Sequence, residues 1–195
     1  MPFDAPSEAP PAAALFTAAD IAAILRERGW LDASRDVVVD APLGKWCARA
    51  AELLAAHAAD RAALADLLAL VFAYDARALV SEPANQAVLA REGARDVIRE
   101  LANRVLADPS PADPAVSARE LDSDRLKGII DGMKAVLPYR GRELFFPIRL
   151  ALAGGVGPGE LDRVILLLDA AAALDFGAPV KGAPQRMIEF CAAFD

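Results

Sequence analysis

The chain has 195 residues and a mass of 20.5 kDa, enough for one sizeable hydrophobic core or two small helical lobes packed together. Hydrophobic residues make up 55% of it, much of this alanine in stretches such as 48–59 and 170–173, while aromatic residues are only 6%; that balance favours short-armed helices over strands. The net charge of -7 argues against a DNA-coating role, and no stretch reaches the roughly 18 uninterrupted apolar residues of a bilayer span.

Residues 1–15 are acidic and proline-rich with no basic side chain, so they read as a flexible lead-in rather than a secretory signal or transit peptide. A first helix is predicted from Thr17, with Asp20 three residues on as its capping partner and Phe16 and Ile21 placed for a hydrophobic staple. Ile21, Ile24 and Leu25 form its stripe, which ends near Gly29. Val37 to Val39 is the one strand-like run; with no sheet to join, residues 30–41 are expected to be an extended connector. Helices follow over Pro42 to His57, with Trp46, Ala50, Leu53 and Leu54 inward, and over Arg61 to Tyr74, with Leu64, Leu67, Leu68, Val71 and Phe72 at the same spacing. Pro83 opens a further segment that runs to about Ala107, divided at Gly93.

Three prolines between Asp108 and Ala118 mark the clearest boundary. It separates a first helical subdomain, 16–108, from a second, 119–195, through a connector at 109–118. Charge divides there too: residues 1–120 hold 12 basic and 18 acidic side chains, and residues 121–195 hold 9 and 10. The second half reads as a helix over Ser123 to Val136, a turn at Pro138 to Gly141 and a helix over Arg142 to Ala153. A glycine-rich break at 154–159 follows, then one helix through Leu161, Val164, Ile165 and Leu168. A last helix, Pro184 to Ala193, carries Met187, Ile188 and Cys191, with Phe194 just beyond.

Catalytic signals are sparse. His57 is the single histidine and reads as a partly exposed residue near a helix end. Cys47 and Cys191 read as buried thiols of a cytoplasmic protein rather than a disulfide. The glycines at 154, 155, 157 and 159 lack the Lys-Ser/Thr ending of a phosphate-binding loop and the strand that precedes one. No catalytic group, metal or cofactor is expected.

The distinctive window is Arg125 to Arg149. Arg125, Lys127, Lys134, Arg140, Arg142 and Arg149 face only Asp131 and Glu143 within it, in a chain that is acidic overall. Tyr139, Phe145 and Phe146 interleave with these cations, the mixture single-stranded RNA needs: guanidinium groups for phosphates and base edges, rings for unstacked bases. The alternative is that Phe145 or Phe146 belongs to the core, that Tyr139 caps a turn, and that the cations pair with the acidic first half. Arg149 lies in Pro147-Ile148-Arg149-Leu150, an apolar surround where a charge is either paired, for instance between subdomains, or faces a functional groove.

The run Tyr139-Arg140-Gly141-Arg142-Glu143-Leu144-Phe145-Phe146-Pro147-Ile148-Arg149-Leu150-Ala151-Leu152-Ala153-Gly154, followed by Gly157-Pro158-Gly159-Glu160-Leu161, resembles the C-terminal signature of bacterial glutamyl-tRNA synthetases. Looser similarity extends it over roughly residues 16–175. The resemblance implies an α-helical cage of two packed subdomains that reads the anticodon loop of the tRNA for glutamate, without the catalytic domain. It places Arg149 at the base-reading arginine and Gly157 and Pro158 at the turn beside the anticodon, with Arg142 at a usually basic position. Arg140, Lys127 and Tyr139 complete the expected RNA-binding set. Ala153 stands where the signature has threonine. The expected partner is that tRNA or a similar RNA loop, or, as alternatives, another protein or the catalytic chain of a split synthetase; neither DNA nor membrane is expected.

Overall fold

Every regular element in the computed structural model, which describes residues 16–107 and 120–195, is helical, and no strand occurs among the described residues. The fold is all-α, as composition and spacing predict. The lead-in over 1–15 and the connector over 109–118 lie outside the described residues.

α1 (Ala18–Glu27) starts at the predicted cap. The Asp20 N–H donates to the Thr17 hydroxyl at 3.4 Å, and the Thr17 N–H donates to the Asp20 carboxylate at 2.8 Å. These bonds satisfy donors that a helix start otherwise leaves open. They also hold the Asp20 carboxyl below its ordinary range, the backbone bond from Thr17 contributing most. Residues 30–41 are irregular, with Val38 and Val39 exposed.

α2 (Pro42–Leu54) passes into a 3-10 turn at Ala55–His57, and α3 is Arg61–Phe72. Trp46, Ala50, Leu54, Leu64, Leu68 and Val71 are buried at the predicted positions; Leu53, Leu67 and Phe72 are half-buried. α4 (Ala76–Ser81) was not predicted. Its cap is Asp75, whose carboxylate accepts from the N–H groups of Arg77 and Ala78 at 3.0 and 3.1 Å. α5 (Pro83–Leu89) opens on its proline, and α6 (Ala94–Leu106) begins after Gly93, whose φ of 85° a residue with a side chain rarely adopts.

α7 (Ser123–Val136) and α8 (Arg142–Ala153) have the predicted bounds. The single helix expected through Leu161 to Leu168 is instead two, α9 (Glu160–Ile165) and α10 (Leu168–Ala172). Val164 to Leu168 are buried in succession across this junction. The chain turns there: the Leu167 N–H bonds to the Val164 carbonyl at 3.0 Å, and the Trp46 indole N–H donates to the Leu167 carbonyl at 3.2 Å. α11 (Ala183–Phe194) closes the fold, with Met187 buried and Ile188 exposed.

α8 lies at the centre. Leu150 to Ala153 are all fully buried, so its C-terminal half is enclosed on every side, with α6, α9 and α11 against it. α9 also packs on α2 and α3, and α11 on α4 and α6. Helices from both sides of the proline-rich boundary thus contribute to one continuous core.

Within that core lies one fully buried charge among the described residues, Arg186 of α11. Its guanidinium donates to the carbonyls of Leu70 (3.0 Å), Val71 (2.7 Å) and Leu152 (2.7 Å), and its Nε to that of Lys181 (2.9 Å). Leu70, Val71 and Leu152 belong to the last turns of α3 and α8, where carbonyls lack intrahelical donors. The Tyr74 ring lies 4.4 Å from the guanidinium, and the Tyr74 hydroxyl donates to the Ala151 carbonyl at 2.6 Å. Burial pulls the guanidinium down to about 10, which leaves it cationic at neutral pH.

Candidate RNA-binding cleft

The start of α8 carries most of the distinctive window. Gly141 precedes it, Arg142 and Phe145 occupy its first turn, and Pro147 lies inside it. Having no N–H, Pro147 leaves the Glu143 carbonyl without its i+4 donor. At the far end Gly154, at φ 81°, ends the helix in the left-handed conformation, and the 154–159 turn brings the chain back alongside α8. Between them is a cleft of about 440 Å³ lined by Gly141, Arg142, Phe145, Phe146, Arg149, Gly157 and Pro158.

Four of the residues singled out from the sequence therefore meet here: Arg142, Arg149, Gly157 and Pro158. Arg149 is bound from within. Its Nε donates to Asp162 Oδ1 and its Nη2 to Asp162 Oδ2, both at 2.8 Å, and its Nη1 donates to the Gly157 carbonyl at 2.8 Å. Its side chain is 12% exposed. The ion pair joins α8 to α9 within the second half of the chain, rather than bridging the two halves. Arg149 thus fixes the turn that forms the cleft's opposite wall, and its guanidinium lies 5.2 Å from the Phe145 ring centre.

Arg142 is the cleft's free cation. It is exposed, lies 5.9 Å from the Phe146 ring centre and makes no side-chain hydrogen bond or ion pair with a described residue. Phe145 and Phe146 are both half-buried, and Phe145 packs on the core. Ala153, where the resembled signature has threonine, is fully buried; a hydroxyl there would need a partner inside the core.

Phe145 also lines a second, adjoining cleft of about 550 Å³, which Lys127, Lys134, Arg163, Asp131, Asp162 and the exposed His57 border. Lys134 pairs with Asp131 at 3.1 Å and stands 6.0 Å from the Phe145 ring centre. Lys127 and Arg163 are exposed without such partners among the described residues. Phe145 thus lines both clefts, with Arg142 beside one and Lys127 and Arg163, along with Asp131 and Asp162, beside the other.

The remaining two predicted residues lie elsewhere. Arg140 donates to the carbonyls of Lys134, Leu137 and Tyr139 at 2.7, 2.7 and 2.6 Å, closing the C-terminal end of α7. Tyr139 lies on Gly93, so close that a Cβ there would run into its ring, and its hydroxyl donates to Asp96 at 3.1 Å. That bond, more than burial, raises the tyrosine above its ordinary value. Asp162 and Arg163 escaped the sequence reading because no local pattern links α9 to the window in α8.

The cysteines are free. Cys47 is buried as expected, while Cys191 is half-buried. Burial pushes Cys47 up to about 11 and also raises Cys191, which Asp195 raises further. Neither thiol has the lowered value that a nucleophile needs. Among the described residues no three His, Cys, Asp or Glu side chains gather so as to hold a metal ion, and no helix is long and apolar enough to cross a membrane.

No protein-family model matches the chain, and no curated protein or solved structure matches it.

Proposed function

We propose that this protein is a non-catalytic RNA-binding protein that takes an anticodon-type loop into the groove beside Phe145. One observation carries the reading: Arg142, Phe145, Phe146, Gly157 and Pro158, noted in sequence for their resemblance to an anticodon-binding signature, converge on one cleft. Half-buried rings offer faces on which unstacked bases can lie, and Arg142, Lys127 and Arg163 offer charge for phosphates. Arg149 has a supporting part in this reading. Its donor fork is occupied by Asp162 and Gly157, so it holds the turn against which the loop would rest.

The test is binding of labelled individual tRNAs and of total tRNA at two salt concentrations. Saturable binding that weakens steeply with salt is expected. A wild-type protein giving no saturable signal at low salt sinks the proposal.

The saturation of Arg149 favours a second reading, a protein-interaction module that keeps the helical cage and has lost RNA. Co-purification of a stoichiometric protein partner, with no nucleic acid, would select it.

A further inference from the structure

Four elements away from the start of α8 converge on a further cleft, of about 580 Å³. Val80 of α4, Leu89 and Ala90 at the end of α5, and Phe194 of α11 give it an apolar lining, and Gln86, Arg91, Glu92 and Arg95 border it. It shares no lining residue with either cleft at Phe145. Arg91 belongs to the turn between α5 and α6, and Arg95 to the first turn of α6, beyond the left-handed Gly93. Both arginines are exposed, and neither makes a side-chain hydrogen bond or ion pair with a described residue. Glu92 is the one carboxylate on the cleft and is likewise without such a partner. In a chain of net charge -7, this cleft carries two open cations against a single anion.

Phe194 does not present a free ring face to a base. The Arg95 guanidinium lies over the ring, 4.9 Å from its centre, and the ring of the buried Phe190 is 6.2 Å away. A nucleobase stacking on the face that Arg95 covers would have to displace the guanidinium, so the cleft lacks the open platform that single-stranded nucleic acid uses. The ring contact leaves the donor fork of Arg95 without a hydrogen-bond partner, and such a fork takes a carboxylate through two parallel bonds.

We infer that this cleft docks a peptide segment of a partner protein, in which acidic side chains flank a large apolar one. The apolar side chain covers Val80, Leu89 and Ala90 and the edge of Phe194, removing their surface from water. Arg91 and Arg95 meet the flanking carboxylates; two separate cations call for more than one anionic group, which a peptide supplies from successive residues. A basic segment is repelled by the same pair, so charge selects the partner as well as holding it. The inference does not rest on the RNA-loop reading, since the two sites have no residue in common.

The test selects a phage-displayed library of random short peptides on the full chain, with the double variant Arg91→Ala, Arg95→Ala as counter-target. Enriched peptides should carry Asp or Glu on either side of a large apolar residue. A labelled example should bind the double variant at least about tenfold more weakly in anisotropy, because the carboxylates lose their partners. Raised salt should weaken its binding to wild type. Glu92→Gln removes the cleft's own carboxylate and should tighten the same peptide, a gain that a folding defect cannot give. Enrichment of basic or acid-free peptides, equal enrichment on both proteins, or unchanged or weaker binding in Glu92→Gln overturns the inference. If total tRNA displaces the peptide from wild type and itself binds the double variant more weakly, the cleft is a nucleic-acid site and the inference is overturned as well.

Discussion

Arg149 meets Asp162 through two parallel hydrogen bonds of 2.8 Å, one from each side of its guanidinium fork, while the third side holds the Gly157 carbonyl. Lysine cannot reproduce that geometry. Asp162→Asn and Arg149→Lys should each lower unfolding stability by about 1.5–3 kcal/mol, the range for hydrogen bonds to charged groups. The double variant should be little worse than either single one, which urea denaturation in a double-mutant cycle would read as strong coupling. Additive losses would show that the two residues act separately.

Arg142 and Phe146 should behave the other way. Arg142→Ala removes an exposed side chain without an ion-pair partner among the described residues, so stability should move by no more than about 0.5 kcal/mol. RNA-loop binding should weaken, with the salt slope falling by about 1. Phe146→Ala should cost about 1–3 kcal/mol of binding if one base stacks on the ring. Unchanged affinity in both variants would remove the cleft from consideration as a loop site.

Arg186 is the most sensitive single position. Replacing it by methionine keeps bulk but leaves the carbonyls of Leu70, Val71 and Leu152 in the core without donors. The expected loss exceeds about 3 kcal/mol, since several charge-assisted bonds go at once. Thermal unfolding followed by circular dichroism would read it, and a midpoint near wild type would contradict the capping role.

The buried thiol gives a pH dependence of defined sign. Burial raises Cys47 from 9.0 to about 11 and also raises Tyr74. A raised value means that the fold favours the protonated form, so this stabilisation is complete below the unfolded value and is lost as pH climbs through the folded one. Arg186, lowered to about 10, opposes the trend only above that pH. The melting temperature should therefore fall between about pH 9 and 11, less steeply in Cys47→Ala. At pH 8 a thiol reagent should reach Cys47 only after unfolding; rapid native labelling of Cys47 would contradict its burial.

Helix boundaries were legible wherever one or two neighbouring residues decide them: Thr17 with Asp20, the prolines at 42 and 83, Gly93 and Gly154. α4 escaped because six residues are too few to show a helical period. The break between α9 and α10 escaped because Trp46, far back in the chain, takes the Leu167 carbonyl. The cleft was partly legible, since α8 and the turn after it are consecutive and fold back on each other. Asp162 as the partner of Arg149, Arg140 on the end of α7, Tyr139 on Gly93 and the carbonyl ring around Arg186 were not legible. Each is a side-chain contact with backbone or with another element, and sequence periodicity carries no trace of such contacts.

The position of Arg186 also ties together parts of the chain that are far apart in sequence. The carbonyls it caps lie at residues 70, 71 and 152, and the helix that delivers it packs on α4, α6 and α8. A variant truncated after Ala172 would keep α1 to α10 and lose the donors to those carbonyls, leaving two helix ends open where Arg186 now closes them. The stability of α3 and α8 at their C-terminal ends thus depends on a single side chain delivered from α11.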